Sequence, residues 1–326
     1  MTAPFIEVRD LRKSYMVRRG MFGSSRELRA VAGISFAIPE GSTFGLVGES
    51  GSGKTTTAKM IMGAEAPTGG SITIANQDMT AHIKSDAAFR RILQPVLQDP
   101  YSSLSPRMRA GRIIDEPIRI HGTIAGASAR NEKVRELLQL VGLPPEAAYR
   151  YPSEMSGGQR QRVAIARALS LEPRCIVLDE PVSALDVSIQ AQILNLLKDL
   201  QRDLQLTFLL ISHDLAIVSH MNSQIGVMYL GRLVEVGARA AILKDARHPY
   251  TLALIAGATP GAPQAAMVDG EIPSPLNPPS GCPFHTRCRL AADICRTDPP
   301  DLKQVGPEHR VACHFSDTSR TELSHA

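Results

Sequence analysis

Gly48-Glu49-Ser50-Gly51-Ser52-Gly53-Lys54-Thr55 has the spacing Gly, four residues, Gly-Lys-Ser/Thr. Residues of these types can wrap a chain of phosphates. The glycines let successive backbone N–H groups point into one concave anion site. A helix starting at Lys54 adds its partial positive charge there. Lys54 would then reach the terminal phosphates of a nucleotide, and the Thr55 hydroxyl would bind Mg²⁺. A Gly/Ser-rich turn with no ligand is the plainer account of the same composition. The full match, set between an apolar strand and a helix, argues against it.

Further residues could complete such a site. Cys175-Ile176-Val177-Leu178-Asp179-Glu180 is an apolar run ending in two carboxylates. Asp179 can serve a Mg²⁺ ion, and Glu180 can orient or deprotonate a water that attacks a γ-phosphate. Gln98 closes the apolar stretch Val96-Leu97-Gln98 and could reach the metal or the water; an exposed strand-end Gln is the plainer reading. His213 follows Ile211-Ser212 and could contact a γ-phosphate, or simply end its strand. Ser156-Gly157-Gly158-Gln159 opens a helix with a capping Ser and exposed N–H groups, a second anion site. One chain with two such sites suggests a composite one, in which the helix of one copy meets the nucleotide on another. An ordinary capped helix is the alternative.

The elements that must carry these residues follow from hydrophobic spacing. Residues 5–17 alternate like a half-buried strand, and Leu28–Ile38 returns. Thr43–Val47 enters the loop, and Lys54–Met62 leaves it as a helix. Ser71–Ala75 reads as a strand. Ile92–Gln98 reads as another, with Pro95 a warning against pairing on both sides. Residues 110–158 change to helical spacing, an all-helical insert. Gln159–Leu171 is a helix, Cys175–Leu178 a buried strand, Ser188–Leu204 an amphipathic helix and Thr207–Ile211 a buried strand. Gln224–Leu230 and Arg232–Val236 are strands joined at Gly231. Strands alternating with helices imply a parallel sheet covered on both faces. Past about residue 245 the pattern breaks. His248-Pro249-Tyr250-Thr251 opens a short helix, residues 259–283 carry seven prolines as a linker or irregular wrap, and the tail beyond Phe315 is polar.

The chain has 326 residues, 43% of them hydrophobic, and a net charge of +4. That charge is too small to argue for nucleic acid. The start lacks the basic and apolar regions of a signal peptide, and no apolar run is long enough to span a bilayer, so a membrane role needs partner subunits. Arginines in 17–23 read as a solvated loop, or as a contact for lipid head groups. Cys282, Cys288, Cys295 and Cys313 follow C-x5-C-x6-C-x17-C. This spacing is neither a usual zinc pairing nor a ferredoxin run. The four thiols could hold a [4Fe–4S] cluster, a zinc ion or nothing, with His285, His309 and His314 as further donors.

Taken in chain order, the motifs resemble the ATP-binding-cassette ATPases. Gly48–Thr55 matches the phosphate loop, Gln98 the Q-loop, and Ser156–Gln159 the signature. Ile176–Glu180 matches Walker B, Ser183-Ala184-Leu185-Asp186 the D-loop, and His213 the switch histidine. Met155 departs from the Leu or Phe that many members place before the Ser, one apolar residue for another. The resemblance implies an α/β P-loop NTPase with a RecA-like parallel sheet core, an antiparallel β subdomain and a helical subdomain at about 100–158. The nucleotide-binding domain would span 1–245, with an irregular C-terminal extension over 246–326 and its cysteine segment at 282–313. It implies ATP binding by Tyr15, stacked on adenine, and by Gly48, Glu49, Ser50, Gly51, Ser52, Gly53, Lys54, Thr55 and Thr56. Mg²⁺ would take Thr55, Gln98 and Asp179, and catalysis would use Glu180, His213 and Gln98. Ser156, Gly157, Gly158, Gln159 and Asp186 would act across a pair of cassettes.

Tyr101-Ser102-Ser103-Leu104-Ser105-Pro106-Arg107, His248-Pro249-Tyr250-Thr251 and Gly281-Cys282-Pro283-Phe284 with Arg287-Cys288 narrow the resemblance to the oligopeptide/dipeptide importer ATPases, a group that includes nickel and glutathione importers. It implies a peripheral subunit on the cytoplasmic face of the membrane. Two permease subunits, a second cassette (identical or related) and, indirectly, a solute-binding protein would be its partners; nucleic acid would not. Peptide is the expected cargo, nickel or glutathione the alternative. A soluble cassette protein of translation or repair, and an iron–sulfur redox sensor, are the rivals from other classes.

Overall fold

The computed structural model describes residues 3–18, 25–80, 87–221, 223–259 and 270–317. Arg19 and the rest of the basic loop to Gly23, the prolines Pro260 and Pro263, and the polar tail from residue 318 lie outside the described residues. The chain forms two compact units. One takes 1–39, 43–81 and 212–326; the other takes 40–42 and 82–211.

The first unit opens with β1 (Ile6–Arg18) and β2 (Ser25–Ile38), antiparallel with Ile6 opposite Ile38. All five residues of β3 (Thr43–Val47) are buried. The loop and α1 (Lys54–Ile61) follow, then β4 (Gly69–Ile74) and the short β5 (Gln77–Asp78). β4 pairs with β1 on the side away from β2, giving the antiparallel order β2-β1-β4-β5.

The second unit starts at α2 (Ala87–Ile92) and β6 (Leu93–Val96). The strand expected over Ile92–Gln98 is therefore shorter. Ile92 closes a helix, and Gln98 lies in the turn beyond the strand. Pro95 has no N–H for a ladder, and β6 pairs with β7 alone among the described residues, as an edge strand does. Helices α3 (Pro100–Ser103), α4 (Ala110–His121), α5 (Ala127–Leu140) and α6 (Gly157–Leu169) supply the expected helical run. Gly122 ends α4 in the left-handed conformation. Asp115 of α4 pairs with Arg130 of α5 at 2.9 Å. β7 (Cys175–Asp179), α7 (Val187–Leu204) and β8 (Thr207–Ser212) complete the unit. β6, β7 and β8 run parallel, and β7 and β8 are buried throughout. Continuous apolar runs are the signature of strands covered on both faces.

The chain returns to the first unit with α8 (Leu215–Met221), β9 (Gln224–Tyr229), β10 (Arg232–Ala238), α9 (Arg239–Lys244) and α10 (Pro249–Gly257). β3 and β9 are parallel; β9 and β10 form a two-residue hairpin through Leu230 and Gly231, both at positive φ (42° and 79°). Among the described residues, 270–283 carry no helix or strand, as expected of a linker or irregular wrap. Beyond α11 (Asp293–Thr297), β11 (Lys303–Gly306) and β12 (His309–Val311) pair antiparallel, and β12 adds to the edge of β10.

Candidate functional site

The loop after β3 is drawn tight by its lysine. The Lys54 ammonium donates to Gly48 O at 2.6 Å, Glu49 O at 2.8 Å and Ser52 Oγ at 3.3 Å, and the residue is 4% exposed. Gly53 caps α1 at φ 105°, where a Cβ would lie 2.3 Å from Ala30 O. No side chain fits there, so the composition of the loop is a packing requirement as well as a phosphate pattern. Thr55 and Thr56 stand on the first turn of α1. Tyr15 of β1 engages the side chains of Glu65 and Thr56, and burial with the Glu65 carboxylate pushes its phenol pKa up. Lys13 lies over the Tyr15 ring, 5.1 Å from its centroid. These contacts set Tyr15 beside the loop helix within one unit.

In the second unit, β7 delivers Asp179, 5% exposed, and Glu180 follows at φ 48°. A non-glycine residue held in that region stores strain, which concentrates at functional sites. Glu180 N–H donates to Ile211 O at 2.9 Å, which fixes the turn to β8. The Gln98 amide nitrogen donates to Glu180 Oε2 at 2.8 Å. The nitrogen end of the amide is thus used on the carboxylate, and the oxygen end is the one a cation would take. Asp179 and Gln98 of this unit are hard oxygen donors of the kind Mg²⁺ accepts. His213 is exposed just past β8.

Ser156 closes a reciprocal capping box at the start of α6. Its Oγ accepts from Gln159 N–H at 3.3 Å, and Gln159 Oε1 accepts from Ser156 N–H at 3.1 Å. The two glycines between them face close side chains. A Cβ on Gly157 would come within 3.0 Å of Leu185 Cδ2, and one on Gly158 within 2.7 Å of Ile189 Cγ2. The signature helix therefore lies directly on the D-loop and the first turn of α7, whose cap is Asp186.

The four C-terminal cysteines do not meet the cluster expectation. Among the described residues no three Cys, His, Asp or Glu side chains converge as a metal-ion site. Burial raises the Cys282 thiol, carries Cys288 to about 11 and Cys313 to about 12, and so favours protonated thiols over thiolate ligands. The histidines are engaged elsewhere. His309 Nε2 is 2.8 Å from Glu235 Oε1, His285 Nδ1 is 2.9 Å from Cys282 O, and His314 Nε2 is 2.9 Å from Asp298 O.

Sequence reasoning missed what the C-terminal region brings to the loop. Arg287 donates from both terminal nitrogens to the Glu49 carboxylate, at 2.7 and 3.0 Å, and Tyr250 Oη accepts from Glu49 N–H at 2.8 Å. Both residues stand in the short motifs quoted above, but nothing in those motifs points to Glu49.

A family model described as "ABC transporter" matches residues 31–183, and one described as "Oligopeptide/dipeptide transporter, C-terminal region" matches residues 234–295. The oligopeptide transport ATP-binding protein AppF of Bacillus subtilis is 45% identical over 95% of this chain and 97% of its own length. The dipeptide transport ATP-binding protein DppF of Escherichia coli is 45% identical over 96% of this chain and 95% of its own. Among solved structures, the dimeric post-hydrolysis state of the ATP-binding cassette MJ0796 with ADP and Pi shares the fold with a TM-score of 0.62 and 28% identity, covering 72% of this chain and 98% of that one. An inward-drawn loop lysine, a strand ending in Asp-Glu and a capped Ser-Gly-Gly-Gln helix thus recur along a matched chain: the protein belongs to the ATP-binding-cassette ATPases, in the group that carries the oligopeptide/dipeptide transporter C-terminal region.

Proposed function

We propose that this chain is the ATP-hydrolysing subunit of a membrane importer whose cargo is a di- or oligopeptide. The observation that carries the reading is the loop itself, a buried lysine gathered among loop carbonyls, with no room for a side chain at Gly48 or Gly53. The cargo class follows the relatives, whose names are those of peptide transport proteins. Nickel and glutathione have no such support.

In this reading residues 1–245 bind nucleotide, with a helical portion at about 100–158, and 246–326 form the extension. ATP lies on Gly48–Thr56 with Tyr15 against the adenine. Lys54 exchanges its loop carbonyls for β- and γ-phosphate oxygens. Thr55, Asp179 and Gln98 would hold Mg²⁺, which when bound neutralises charge on the phosphates. Glu180, steered by Gln98, takes the proton of the attacking water, and His213 contacts the γ-phosphate. The Ser156 helix of a second cassette closes over the same nucleotide, through its capped N-terminus and Gly157-Gly158-Gln159, with Asp186 beside it. Binding closes the pair, and loss of phosphate opens it, so a permease pair bound to the cassettes is driven between states. Among the described residues no helix is long and apolar enough to cross a membrane, so the chain would act peripherally on the cytoplasmic face. A separate solute-binding protein would supply the cargo.

Vesicles carrying the permease pair and both cassettes test this. ATP-dependent accumulation of a dipeptide or oligopeptide, with nickel ion and glutathione assayed in parallel, is the expected result. Uptake of nickel or glutathione but not peptide replaces the cargo. ATP turnover without uptake of any of them overturns the transport reading.

A further inference from the structure

Glu49 is an awkward residue for a phosphate loop. A carboxylate there would stand close to the most highly charged part of a bound nucleotide, and like charges at short range are costly. The structure holds it in three ways. The Glu49 N–H is taken by the Tyr250 hydroxyl, its carbonyl by Lys54, and its carboxylate by both terminal nitrogens of Arg287. The Arg287 side chain is only 6% exposed, and a two-pronged guanidinium–carboxylate pair is the strongest and most directional of ordinary ion pairs. Arg287 Nε is meanwhile buried without a hydrogen-bond partner. The guanidinium is therefore committed to Glu49 at some cost to its own satisfaction.

Both holding groups are themselves well supported. Tyr250 is 1% exposed, with Tyr229 at 4.8 Å and Phe284 at 5.4 Å between ring centroids. Arg287 lies over Tyr229, 5.9 Å from the ring centroid. The turn that presents Tyr250 hangs on Glu235 of β10, fully buried. Glu235 accepts from Arg247 N–H at 2.8 Å and His248 N–H at 3.0 Å, and it pairs with His309 of β12. The added strand, the α10 turn and the cysteine segment thus converge on one residue of the loop.

We propose that Arg287 and Tyr250 are positioning residues for ATP: Arg287 neutralises Glu49 and Tyr250 fixes its backbone, so the C-terminal region presets the phosphate loop. The inference rests on the proposed ATPase reading and gives the C-terminal region a role at the nucleotide rather than at the cargo. Charge neutralisation makes a distinctive demand. Removing Arg287 should harm nucleotide binding chiefly because Glu49 is left behind.

The test uses the full-length chain, its ATP dissociation constant by calorimetry, and KM and kcat from phosphate release. Arg287→Met is expected to raise the dissociation constant and KM about tenfold with kcat little changed. Glu49→Gln supplies the reference that lacks the carboxylate, and Arg287→Met placed in that background should cause almost no further loss relative to Glu49→Gln alone. Tyr250→Phe, which keeps the ring, provides a second variant should Arg287→Met not fold, and is expected to raise KM about threefold. An unchanged KM in the folded variants overturns the proposal, as does a full tenfold loss that persists with Glu49→Gln. Failure of the wild-type chain to bind ATP would instead overturn the underlying ATPase reading.

Discussion

The Gln98 amide nitrogen donates to Glu180 Oε2 at 2.8 Å. The bond ties the turn after β6 to the residue that ends β7, whose strands are already in parallel register from Leu93 opposite Cys175 to Val96 opposite Leu178. Under the proposed function, Gln98 at the metal and Glu180 at the water would thus move together. The pair also defines which substitutions at Glu180 are informative.

Glu180→Gln can still accept from Gln98, so it keeps the geometry and removes only the base. ATP binding should be retained while phosphate release falls by about 10²- to 10⁴-fold. Parallel binding and turnover measurements check this, and normal release in the variant would take Glu180 out of its role.

Glu180 also sits at φ 48°. Glycine adopts that conformation without steric cost, and the strain of a residue with a Cβ there is about 1 kcal/mol. Glu180→Gly should therefore be inactive yet melt no lower than wild type, and slightly higher if the strain outweighs the added chain entropy of glycine in the unfolded state. A clear drop in melting temperature without nucleotide would show that the conformation is unstrained.

Lys54 is buried and donates to Gly48 O, Glu49 O and Ser52 Oγ of its own loop. Lys54→Met removes a charge-assisted contact to phosphate worth about 1.5–3 kcal/mol, so ATP affinity should fall by about 10- to 100-fold. Calorimetric titration reads this directly, and an affinity within twofold of wild type would show that the lysine does not reach the phosphates.

The elements that carry the candidate site residues were legible because they are short-range patterns. Thr43–Val47, Cys175–Asp179 and Thr207–Ser212 are continuous apolar runs, and all three are buried strands. Ser156 reads from the sequence as the cap of its helix, and it caps α6. What stayed hidden was long-range or weakly patterned. Arg287 meets Glu49 across 238 residues, and no periodicity records such a pair. β11 and β12 span four and three residues in a proline-rich stretch, too short for alternation to show. The reach of the Ile92–Gln98 strand was overestimated because an apolar run does not say where a helix gives way to a strand. Cysteine spacing could not reveal that no three of these side chains converge as a metal-ion site among the described residues.

The signature glycines allow stability and catalysis to be separated. Ser156→Ala loses the cap and should cost about 1 kcal/mol of stability. Gly158→Ala pushes a methyl into Ile189, which lifts the start of α6 away from α7. If the helix acts on a neighbour's nucleotide, both variants should lose far more ATPase activity than their melting temperatures explain, with ATP affinity of the isolated chain nearly unchanged. Activity that tracks stability alone would return Ser156–Gln159 to the status of an ordinary helix cap.

His248 connects the C-terminal region to pH. It is 1% exposed, its Nδ1 accepts from Tyr250 N–H at 3.1 Å, and its own N–H is held by Glu235. Burial lowers its pKa from the ordinary 6.5 to about 4, against the smaller upward pull of the Glu235 charge. The folded chain thus keeps the ring neutral while the unfolded chain begins to take up a proton near pH 6.5. The stability this gives is fully present above pH 6.5 and drains away as pH falls toward 4, approaching about 3 kcal/mol in all. Asn is a good helix cap and does not titrate, so His248→Asn can retain the bond to Tyr250 N–H without the proton linkage. Denaturant unfolding between pH 7.5 and 4.5 should show the wild type losing stability more steeply than the variant as pH falls. Parallel curves across that range would mean that His248 is not held neutral, and that the Tyr250 turn gripping Glu49 is indifferent to acid.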